Sequence, residues 1–457
     1  MFGCGEEGAV EKMTLPKAVE RAIETLTAHG YEAYAVGGCV RDFLRGVTPS
    51  DYDLTTSATP SEILSVFSDM RCIETGIAHG TVTVIIDETP LEITTFRIDG
   101  DYRDHRHPDS VTFTRSFRED AARRDFTVNA MGYAPGVGVV DCFGGREDLR
   151  TRTLRAVGDP NRRFTEDSLR ILRALRFASV LGMTIEKQTK TAANELAPSL
   201  ESVASERIYA ELCKLLCGKN AFSVLNENRA VVSAVLPELM PSMDFEQKNR
   251  HHIYDVYTHT LHVLNEVPPQ PHLRFAALFH DIGKPHCFSL GETDGEGHFY
   301  GHAAESVRIA EKIFARLHAD RATSERALRL IRLHDGVIEC NKKALRRMLA
   351  RHGEDALRDL IALKRADTLA LHPDYHARTK ELDEILSLLD EVLAEPPCFS
   401  VSDLAIGGDD LLAMGVPRGP LVGQVLRSAH EAVMAEAIVN NREELLAFAQ
   451  KIISSTL

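Results

Sequence analysis

The sequence predicts an N-terminal domain of mixed α/β structure, followed by a remainder that is helical almost throughout. Two runs rich in β-branched residues, TVTVII at 81–86 and LEITTF at 91–96, predict strands in the first part. From about Glu166 the apolar residues recur at helical spacing, beginning with the run EDSLRILRALRFASVLG. Proline and glycine clusters at 267–271 and 291–301 interrupt this second part. The predicted fold class is therefore α+β, with a mixed sheet and helices first and an elongated all-α remainder after it.

The first elements lead from a helix through a short strand into a pair of glycines. Apolar residues at helical spacing predict a first helix, which ends at Gly30. They are Leu15, Val19, Ala22, Ile23 and Leu26. Residues 34–36 form the next strand, and Gly37-Gly38 then opens a short helix. Glycines at this point allow a ligand to approach the backbone closely, and the amides that open the helix can bind phosphate oxygens.

Length and composition limit the classes of protein to which the chain can belong. Its 457 residues, 44% of them hydrophobic, predict two to four packed units and exclude general disorder. The formal net charge of −14 excludes a uniformly basic coat for nucleic acid, although a local basic surface is compatible with it. The nine cysteines form no CxxC pair, which indicates a reducing compartment. We find no apolar signal or membrane-spanning run and expect a cytoplasmic protein.

Two aspartates follow the glycine pair, in the run DYDL at 51–54. Because alternate residues of a strand share a face, we expect Asp51 and Asp53 to point the same way. Two carboxylates beside a triphosphate pocket suit Mg²⁺, and Glu92 is the candidate third acid on a neighbouring strand. Such a catalytic site activates an attacking hydroxyl and neutralises a leaving pyrophosphate. The alternative is a tight turn followed by an exposed acidic strand end, but the spacing and strand context together favour nucleotidyl transfer.

Six ordered runs extend this pattern over about 140 residues. They are GGCVRD (37–42), DYDL (51–54), TTFRIDGDYRDHRHPDSVTF (94–113), RRDFTVNAM (123–131), DCFGGREDLR (141–150) and RAVGDPNRRFTEDSLRILRALRFA (155–178). In these runs the chain resembles the polymerase-β-like nucleotidyltransferases, and more closely the bacterial second-class tRNA nucleotidyltransferase and poly(A) polymerase family. The resemblance implies a polymerase-β-like head, and the C-terminal two thirds resembles family members that also carry an HD-type domain.

The resemblance implies that Asp167 and Arg170 hydrogen-bond the incoming base. On a helix, Asp167, Arg170 and Arg173 would form one ridge. A carboxylate accepts a hydrogen bond from the exocyclic amine that cytosine and adenine share, whereas guanine and uracil present a carbonyl there. We expect Arg173 and Arg176 to bind phosphate or to support the Asp–Arg pair. The alternative is an amphipathic helix whose arginines are solvated.

Further nucleotide contacts are expected from the glycine turn and from the run RRDFTVNAM. By resemblance, Arg124, Asp125 and Asn129 contact the triphosphate and the ribose. Asp125 is the candidate reader of the 2′-hydroxyl group. We expect the pair Gly37-Gly38 and Arg41 to bind phosphate oxygens.

The polar stretch RIDGDYRDHRHP at 97–108 predicts a mobile loop near the active site. In the family, enzymes that finish the terminal A retain this loop, and those that add only C lack it. We therefore predict template-independent addition of CMP and AMP, from CTP and ATP, to the 3′ end of tRNA. The alternatives are an A-adding enzyme or a poly(A) polymerase and, from another class, a metal-dependent HD phosphohydrolase with an RNA-binding head.

Histidines and aspartates of the helical part form a second candidate metal site. His280 and Asp281 end the apolar run RFAALF, and imidazole ligands favour Mn, Co, Ni or Zn over Mg. Resemblance to the HD phosphohydrolases implies a basic ligand set and two additional ligands or phosphate contacts. The basic set is His259, His280, Asp281 and Asp367, and the additional pair is His302 and His334. His251, His252 and His262 are weaker alternatives to His259. Metal-activated water could attack a phosphomonoester or a cyclic phosphodiester here, and a structural relic is the other interpretation.

We divide the chain into four parts. They are a nucleotidyltransferase head at 14–145, a helical neck at 146–215, a helical body at 216–400 with the HD domain at about 250–375, and a helical tail at 401–457. The basic clusters within 342–351 and the segment 415–423 are candidates for RNA backbone contacts, although solvated charge and plain helix packing explain them equally well. The sequence leaves the oligomeric state open.

Overall fold

The computed structural model describes residues 12–100, 110–293, 295–394, 400–434 and 437–456. The chain forms two compact units, Met1–Pro237 and Glu238–Leu457. This division falls inside the segment 216–400 that we assigned to a single body, and the four-part division remains a prediction. Residues 101–108 of the predicted loop lie outside the described residues.

The described residues of the first unit include eleven strands. They are β1 (Ala33–Val36), β2 (Asp53–Thr56), β3 (Arg71–Ile73), β4 (Thr81–Ile86), β5 (Thr89–Thr95), β6 (Arg97–Asp99), β7 (Val111–Phe113), β8 (Met131–Ala134), β9 (Gly138–Asp141), β10 (Thr153–Leu154) and β11 (Thr184–Ile185). Seven of them form one sheet in the order β3-β4-β5-β2-β1-β8-β9. Within it only β2 and β5 pair in parallel, and the other neighbours are antiparallel. The predicted mixed sheet is confirmed.

The helices of the first unit cover the sheet and then continue as a helical extension. They are α1 (Lys17–Ala28), α2 (Gly38–Leu44), α3 (Pro60–Val66), α4 (Phe117–Ala122), α5 (Gly145–Arg150), α6 (Pro160–Glu166), α7 (Leu169–Leu181), α8 (Lys187–Glu195), α9 (Ser205–Leu216), α10 (Ala221–Glu227) and α11 (Arg229–Val235). Helix α1 buries Val19, Ile23 and Leu26 against the sheet core, as its apolar spacing predicts. Helix α7 ends at Gly182, whose φ of 66° is the left-handed conformation typical of a helix C-terminus.

Where the structure describes the second unit, it is helical apart from one short β-hairpin. Its helices are α12 (Val256–Glu266), α13 (Pro271–Phe279), α14 (His302–Arg316), α15 (Arg321–Leu333), α16 (Lys342–His352), α17 (Glu354–Leu369), α18 (Thr379–Ala394), α19 (Gly408–Ala413), α20 (Pro420–Met434) and α21 (Arg442–Thr456). The hairpin pairs β12 (Ser289–Leu290) with β13 (Gly297–His298) and occupies the glycine-rich interruption at 291–301. Helices α19, α20 and α21 enclose an apolar cluster of their own. Within the described ranges no helix is long and apolar enough to cross a membrane.

Candidate functional site

A glycine turn joins β1 to α2 at the centre of the first candidate site. Gly37 has φ 76° and ψ −124°, a backbone conformation that residues with a side chain rarely adopt. A Cβ atom at this position would lie 3.2 Å from Nη1 of Arg124. The turn therefore requires glycine both for its backbone conformation and for the close approach of this guanidinium group.

The prediction that Asp51 and Asp53 lie on one strand is wrong for Asp51. Strand β2 begins at Asp53, which pairs with Val36 at the last position of β1. Because the chain turns away at Gly37, the backbone of Asp51 has no ladder partner and remains outside the sheet. Its carboxylate accepts a hydrogen bond from the Ser50 hydroxyl at 3.2 Å. Both aspartates are exposed.

Asp53 and Glu92 occupy neighbouring positions on parallel strands. Leu54 pairs with Ile93, so the residues that precede them lie side by side with their side chains on one face of the sheet. Leu54 and Ile93 are buried on the opposite face, whereas both acids are exposed. Among the described residues neither acid forms an ion pair, and Asp51, Asp53 and Glu92 do not form a tight cluster of ligand atoms. Adjacent carboxylates without a cationic partner fit a hard divalent cation.

An arginine-rich cavity of about 490 Å³ opens beside the glycine turn. Its lining residues are Gly37, Gly38, Arg41, Asp53, Arg123, Arg124, Asp125, Asn129, Asp167, Arg170, Arg173, Arg176, Phe177 and Arg207. All ten residues predicted to contact the nucleotide are in this set, whereas Asp51 and Glu92 are not. Seven arginines against three aspartates make the cavity cationic, which suits a triphosphate.

Hydrogen bonds hold the polar groups of the cavity in fixed positions. Arg41 donates to Oδ1 of Asn129 at 2.8 Å, and the Asn129 amide donates to Oδ1 of Asp125 at 3.1 Å. Arg173 donates to Oδ2 of Asp125 at 2.6 Å. Burial alone would raise the pKa of Asp125, but the Arg173 guanidinium outweighs it and the pKa falls to about 2. The burial of Arg124 lowers its pKa, although the charge of Asp120 opposes that shift.

Asp167 lies between two helices and not on a helix, which corrects the predicted ridge. It follows α6 in an extended conformation with φ −141°, and its Oδ1 accepts from the Leu169 amide at 3.1 Å. The reason is that a carboxylate just before a helix satisfies an amide that has no partner within the helix. The three-residue ridge therefore comprises Arg170, Arg173 and Arg176.

Three residues of this site escaped the sequence analysis. Arg207 of α9 donates to Oδ2 of Asp167 at 3.0 Å, and Glu211 of the same helix pairs with Arg176 at 2.8 Å. The Arg176 guanidinium lies over the ring of Phe177, with its Cζ atom 3.9 Å from the ring centroid. Arg207 and Glu211 are four residues apart and so share a helix face, but that spacing is common on amphipathic helices. The sequence alone carried no signal that α9 would support α7.

Arg173→Ala should destabilise the first unit because it leaves the buried Asp125 carboxylate without its cationic partner. Loss of one partner from a buried pair typically lowers the free energy of unfolding by about 3–5 kcal/mol. We expect a fall of roughly 6–20 °C in the melting temperature of this unit, followed by circular dichroism. Arg21→Ala is the control, since Arg21 pairs with Asp87 on the exposed surface of the same unit. Equal melting temperatures for both variants would contradict the prediction.

The second candidate site gathers all six predicted HD ligands from five helices of the second unit. His259 lies on α12, His280 and Asp281 follow α13, and His302 begins α14. His334 follows α15, and Asp367 lies on α17. The possible ligand atoms form two clusters, each with its atoms within 4.8 Å of one another. The clusters are His259, His280 and Asp367, and Asp281, His302 and His334.

The hydrogen bonds of three imidazoles leave a nitrogen free to bind metal. Nδ1 of His280, His302 and His334 each faces a backbone carbonyl, at 2.8, 2.9 and 2.7 Å, and so carries the proton. With Nδ1 protonated, Nε2 is the nitrogen of each ring that can bind a metal ion. Nε2 of His302 and Nε2 of His334 lie 3.1 Å apart, so two lone pairs face each other. A cation between them relieves this repulsion, and the donor set therefore fits a transition metal.

Carboxylates set the electrostatics of this cluster. Burial would lower the pKa of His280, but Asp281 outweighs it and raises the pKa to about 10. Burial, followed by the charge of Lys284, lowers the pKa of His252 to about 2. His251 and His252 line the cavity of about 550 Å³ above the cluster, and His262 stacks on Tyr254. None of these three alternatives belongs to a ligand cluster among the described residues.

The chain matches four known domain families. Residues 33–155 match the "Poly A polymerase head domain", 182–242 the "Probable RNA and SrmB- binding site of polymerase A", 250–371 the "HD domain", and 325–449 the "tRNA nucleotidyltransferase domain 2". The first match falls within the unit that carries the arginine-rich cavity, and the second extends past the end of that unit at Pro237. The HD match contains all six residues of the two clusters.

Curated relatives match nearly the whole chain. A CCA-adding enzyme of Leuconostoc mesenteroides is 32% identical over 93% of this chain and 94% of its own length. A CCA-adding enzyme of Limosilactobacillus reuteri is 34% identical over 96% of this chain and 98% of its own length. The solved Bacillus stearothermophilus CCA-adding enzyme in complex with CTP superposes with a TM-score of 0.69 at 27% identity, covering 96% of this chain and 98% of that one.

Proposed function

Because the chain belongs to the CCA-adding enzymes, which it matches over almost its whole length, we propose that its arginine-rich cavity binds CTP and ATP for template-independent addition of CMP and AMP to the 3′ end of tRNA. The observation that carries the proposal is the placement of Asp53 beside ten predicted nucleotide contacts in one cationic cavity. Incorporation of labelled CTP and ATP into tRNAs that end at each stage of the CCA sequence tests it. Incorporation of ATP alone would favour an A-adding enzyme or a poly(A) polymerase.

The phosphates of the nucleotide fit the glycine turn and its arginines. Gly37 presents no side chain on the cavity side, so Arg41 and Arg124 can approach a triphosphate from two directions. Asp125, held by Arg173 and Asn129, faces the same cavity as the candidate contact for the ribose 2′-hydroxyl. The tRNA 3′-hydroxyl attacks the α-phosphate of the nucleotide, and the arginines of the cavity stabilise the negative charge of the leaving pyrophosphate.

Divalent metal use is general for nucleotidyltransferase and HD domains, and we assign Mg²⁺ to the head. Asp53 and Glu92 would hold it, and Asp51 would join them by rotation of its exposed side chain. When bound, Mg²⁺ supplies charge for the attacking and leaving oxygens of the transfer. The preference for Mg²⁺ rests on donor chemistry, because Asp53 and Glu92 offer carboxylate oxygens on this face of the sheet.

Selection of C and A is assigned to Asp167 and Arg170. Leu169 and Arg207 anchor the Asp167 carboxylate from two sides, and the Arg170 guanidinium is held by Glu166 at 3.0 Å. Fixed groups of this kind reject a base that presents a carbonyl in place of an amine, because the repulsion cannot relax. Selection then needs no nucleic-acid template.

Asp167→Ala should lose base discrimination before it loses turnover. Removing the carboxylate abolishes a contact that discriminates by about 1–3 kcal/mol, so UTP incorporation relative to CTP should rise roughly 5–150-fold. The measurement is incorporation of each labelled nucleotide into tRNA that lacks its CCA end. Asp159→Ala is the matched control, because Asp159 also accepts a backbone amide, that of Asn161, at the start of a helix. Unchanged rejection of UTP and GTP by the Asp167 variant would remove it from base reading.

We propose a second activity, metal-dependent phosphoester hydrolysis, for the HD cluster. The facing Nε2 lone pairs of His302 and His334 favour a bound Mn, Co, Ni or Zn ion, and the wall of the cavity carries Lys284, Lys364 and Arg378, which suit a phosphate group. A metal bound here would activate water against a phosphomonoester or a cyclic phosphodiester. Release of phosphate from damaged RNA 3′ ends tests this activity independently of nucleotide addition.

A further inference from the structure

A second cationic cavity adjoins the nucleotide cavity within the first unit. Its volume is about 800 Å³, and its wall combines the end of α2, helix α5, the end of α7 and Lys219. Basic residues in its lining are Arg45, Arg146, Arg150, Arg152 and Lys219, and its acids are Asp141 and Glu147. The predicted nucleotide contacts include none of these residues.

The two cavities share helices α2 and α7 as walls. Arg41 lines the nucleotide cavity and Arg45 lines the second one, a single helical turn or about 6 Å further along α2. On α7, Arg176 belongs to the first cavity and Leu181 to the second, about 7 Å apart along the axis. Arginines of the two cavities therefore lie about one helical turn apart near α2.

Acids neutralise only part of the positive charge of the second cavity, since Arg45 pairs with Asp42 and Arg150 pairs with Glu147. The Asp141 carboxylate accepts the amides of four residues at the start of α5, from Phe143 to Arg146, and Glu147 pairs with Arg150 at 2.6 Å. Arg152 and Lys219 have no hydrogen-bond or ion-pair partner for their charged groups among the described residues. Two cations thus remain available for an external anion.

We propose that this second cavity binds the sugar-phosphate backbone of the tRNA strand that leads to the 3′ end in the active site. Leu44, Leu149 and Met183 give it an apolar floor that suits a ribose or a base, while the cations at its rim take phosphates. The inference rests on the proposed function, because it needs an RNA 3′ end in the neighbouring cavity. It assigns RNA contact to Arg152, which lies in the segment that matches the head domain, and to Lys219, which lies in the segment that matches the RNA-binding domain.

The test compares the double variant Arg152→Glu and Lys219→Glu with Arg71→Glu in the full-length protein. Arg71 is an exposed arginine on β3, at the opposite edge of the sheet from β9 and Asp141. Binding of labelled tRNA that lacks CCA is measured by fluorescence anisotropy at several salt concentrations. We expect the double variant to bind at least about tenfold more weakly and to show a salt dependence reduced by roughly one to two charges, with Arg71→Glu unchanged.

Wild-type affinity and salt dependence in the double variant would overturn the proposal. A parallel loss of CTP affinity would also overturn it, because it would mean that the substitutions disturb α7. Should the double variant fail to fold, Arg152→Ala alone should still reduce the salt dependence by about one charge. Since tRNA binding is measured without nucleotide, a protein that binds tRNA through Arg152 but incorporates no CMP would refute the proposed function and leave this inference standing.

Discussion

Asp53→Ala should reduce incorporation of CMP and AMP into tRNA by about three orders of magnitude or more. Asp53 lines the arginine-rich cavity and also lies beside Glu92 of the neighbouring strand. A catalytic cation contributes several kcal/mol to stabilising the transition state, and each 1.4 kcal/mol is about tenfold in rate. The measurement is single-turnover incorporation of labelled CTP into tRNA that lacks its CCA end. Binding of tRNA should survive, because the charge removed is negative.

Asp51→Ala provides the informative comparison. Asp51 lies outside the sheet, and we expect its removal to abolish incorporation as well, because a metal site on this face needs its carboxylate. Asp87→Ala, which removes an exposed acid between β4 and β5, is the control and should incorporate normally. Near-normal incorporation by the Asp53 variant would defeat the assignment of the catalytic site, and near-normal incorporation by the Asp51 variant would restrict the site to Asp53 and Glu92.

The second large effect is expected in the HD cluster, where His280→Ala should abolish tight metal binding. Within the described part of the chain, the buried Nε2 of His280 forms no hydrogen bond and lies 3.2 Å from Oδ2 of Asp281, while Nδ1 donates to the Ala277 carbonyl. Loss of an outer partner alone typically weakens metal binding about 10–100-fold, so loss of a ligand should exceed that. Metal content per chain, measured by elemental analysis after dialysis, should fall along with any phosphohydrolase activity.

A surface pair in the same unit serves as the control for this experiment. His372 pairs with Asp374 at 3.3 Å on the exposed surface, so His372→Ala removes a histidine–aspartate contact without touching the cluster. Its metal content should equal that of the wild type. Full retention of metal by both His280→Ala and Asp281→Asn would contradict the assigned ligands. Loss of the physiological function in the His280 and Asp281 variants, with that function retained in the Asp51 variant, would favour the hydrolase as the main activity.

Local patterns in the sequence predicted most of the fold and much of the site. The glycine turn, the strands at 81–86 and 91–96 and the apolar face of α1 depend on neighbours in the sequence, and each appears where the pattern places it. The adjacent pair His280-Asp281, which ends one apolar helix, indicates the second site in the sequence. Resemblance to the HD phosphohydrolases implies the full set of six residues, which the structure brings together in two clusters. Resemblance to a known family added the nucleotide contacts, whose residue types alone would equally describe a solvated helix.

What the sequence could not predict depends on contacts between distant segments. Asp51 was placed on a strand because the alternation DYDL gives no sign of where pairing with β1 stops, and that limit is set by Gly37. The sequence predicts a helical position for Asp167, because an aspartate just before a helix and one in its first turn give the same sequence pattern. The support of Asp167 by Arg207 spans 40 residues, and only the packing of α7 against α9 reveals it.

The parallel pairing of β2 with β5 also bears on how the protein is made. Asp53 and Glu92 become neighbours only when β5 inserts between β2 and β4, after the intervening residues have already been synthesised. A nascent chain that has released α1 to β4 from the ribosome thus exposes the glycine turn and one acid while the edge of β2 is still open. A messenger RNA that ends before the codon for Thr89 would therefore yield a fragment that lacks Glu92 and cannot place it beside Asp53. The unpaired edge of β2 in such a fragment would favour aggregation.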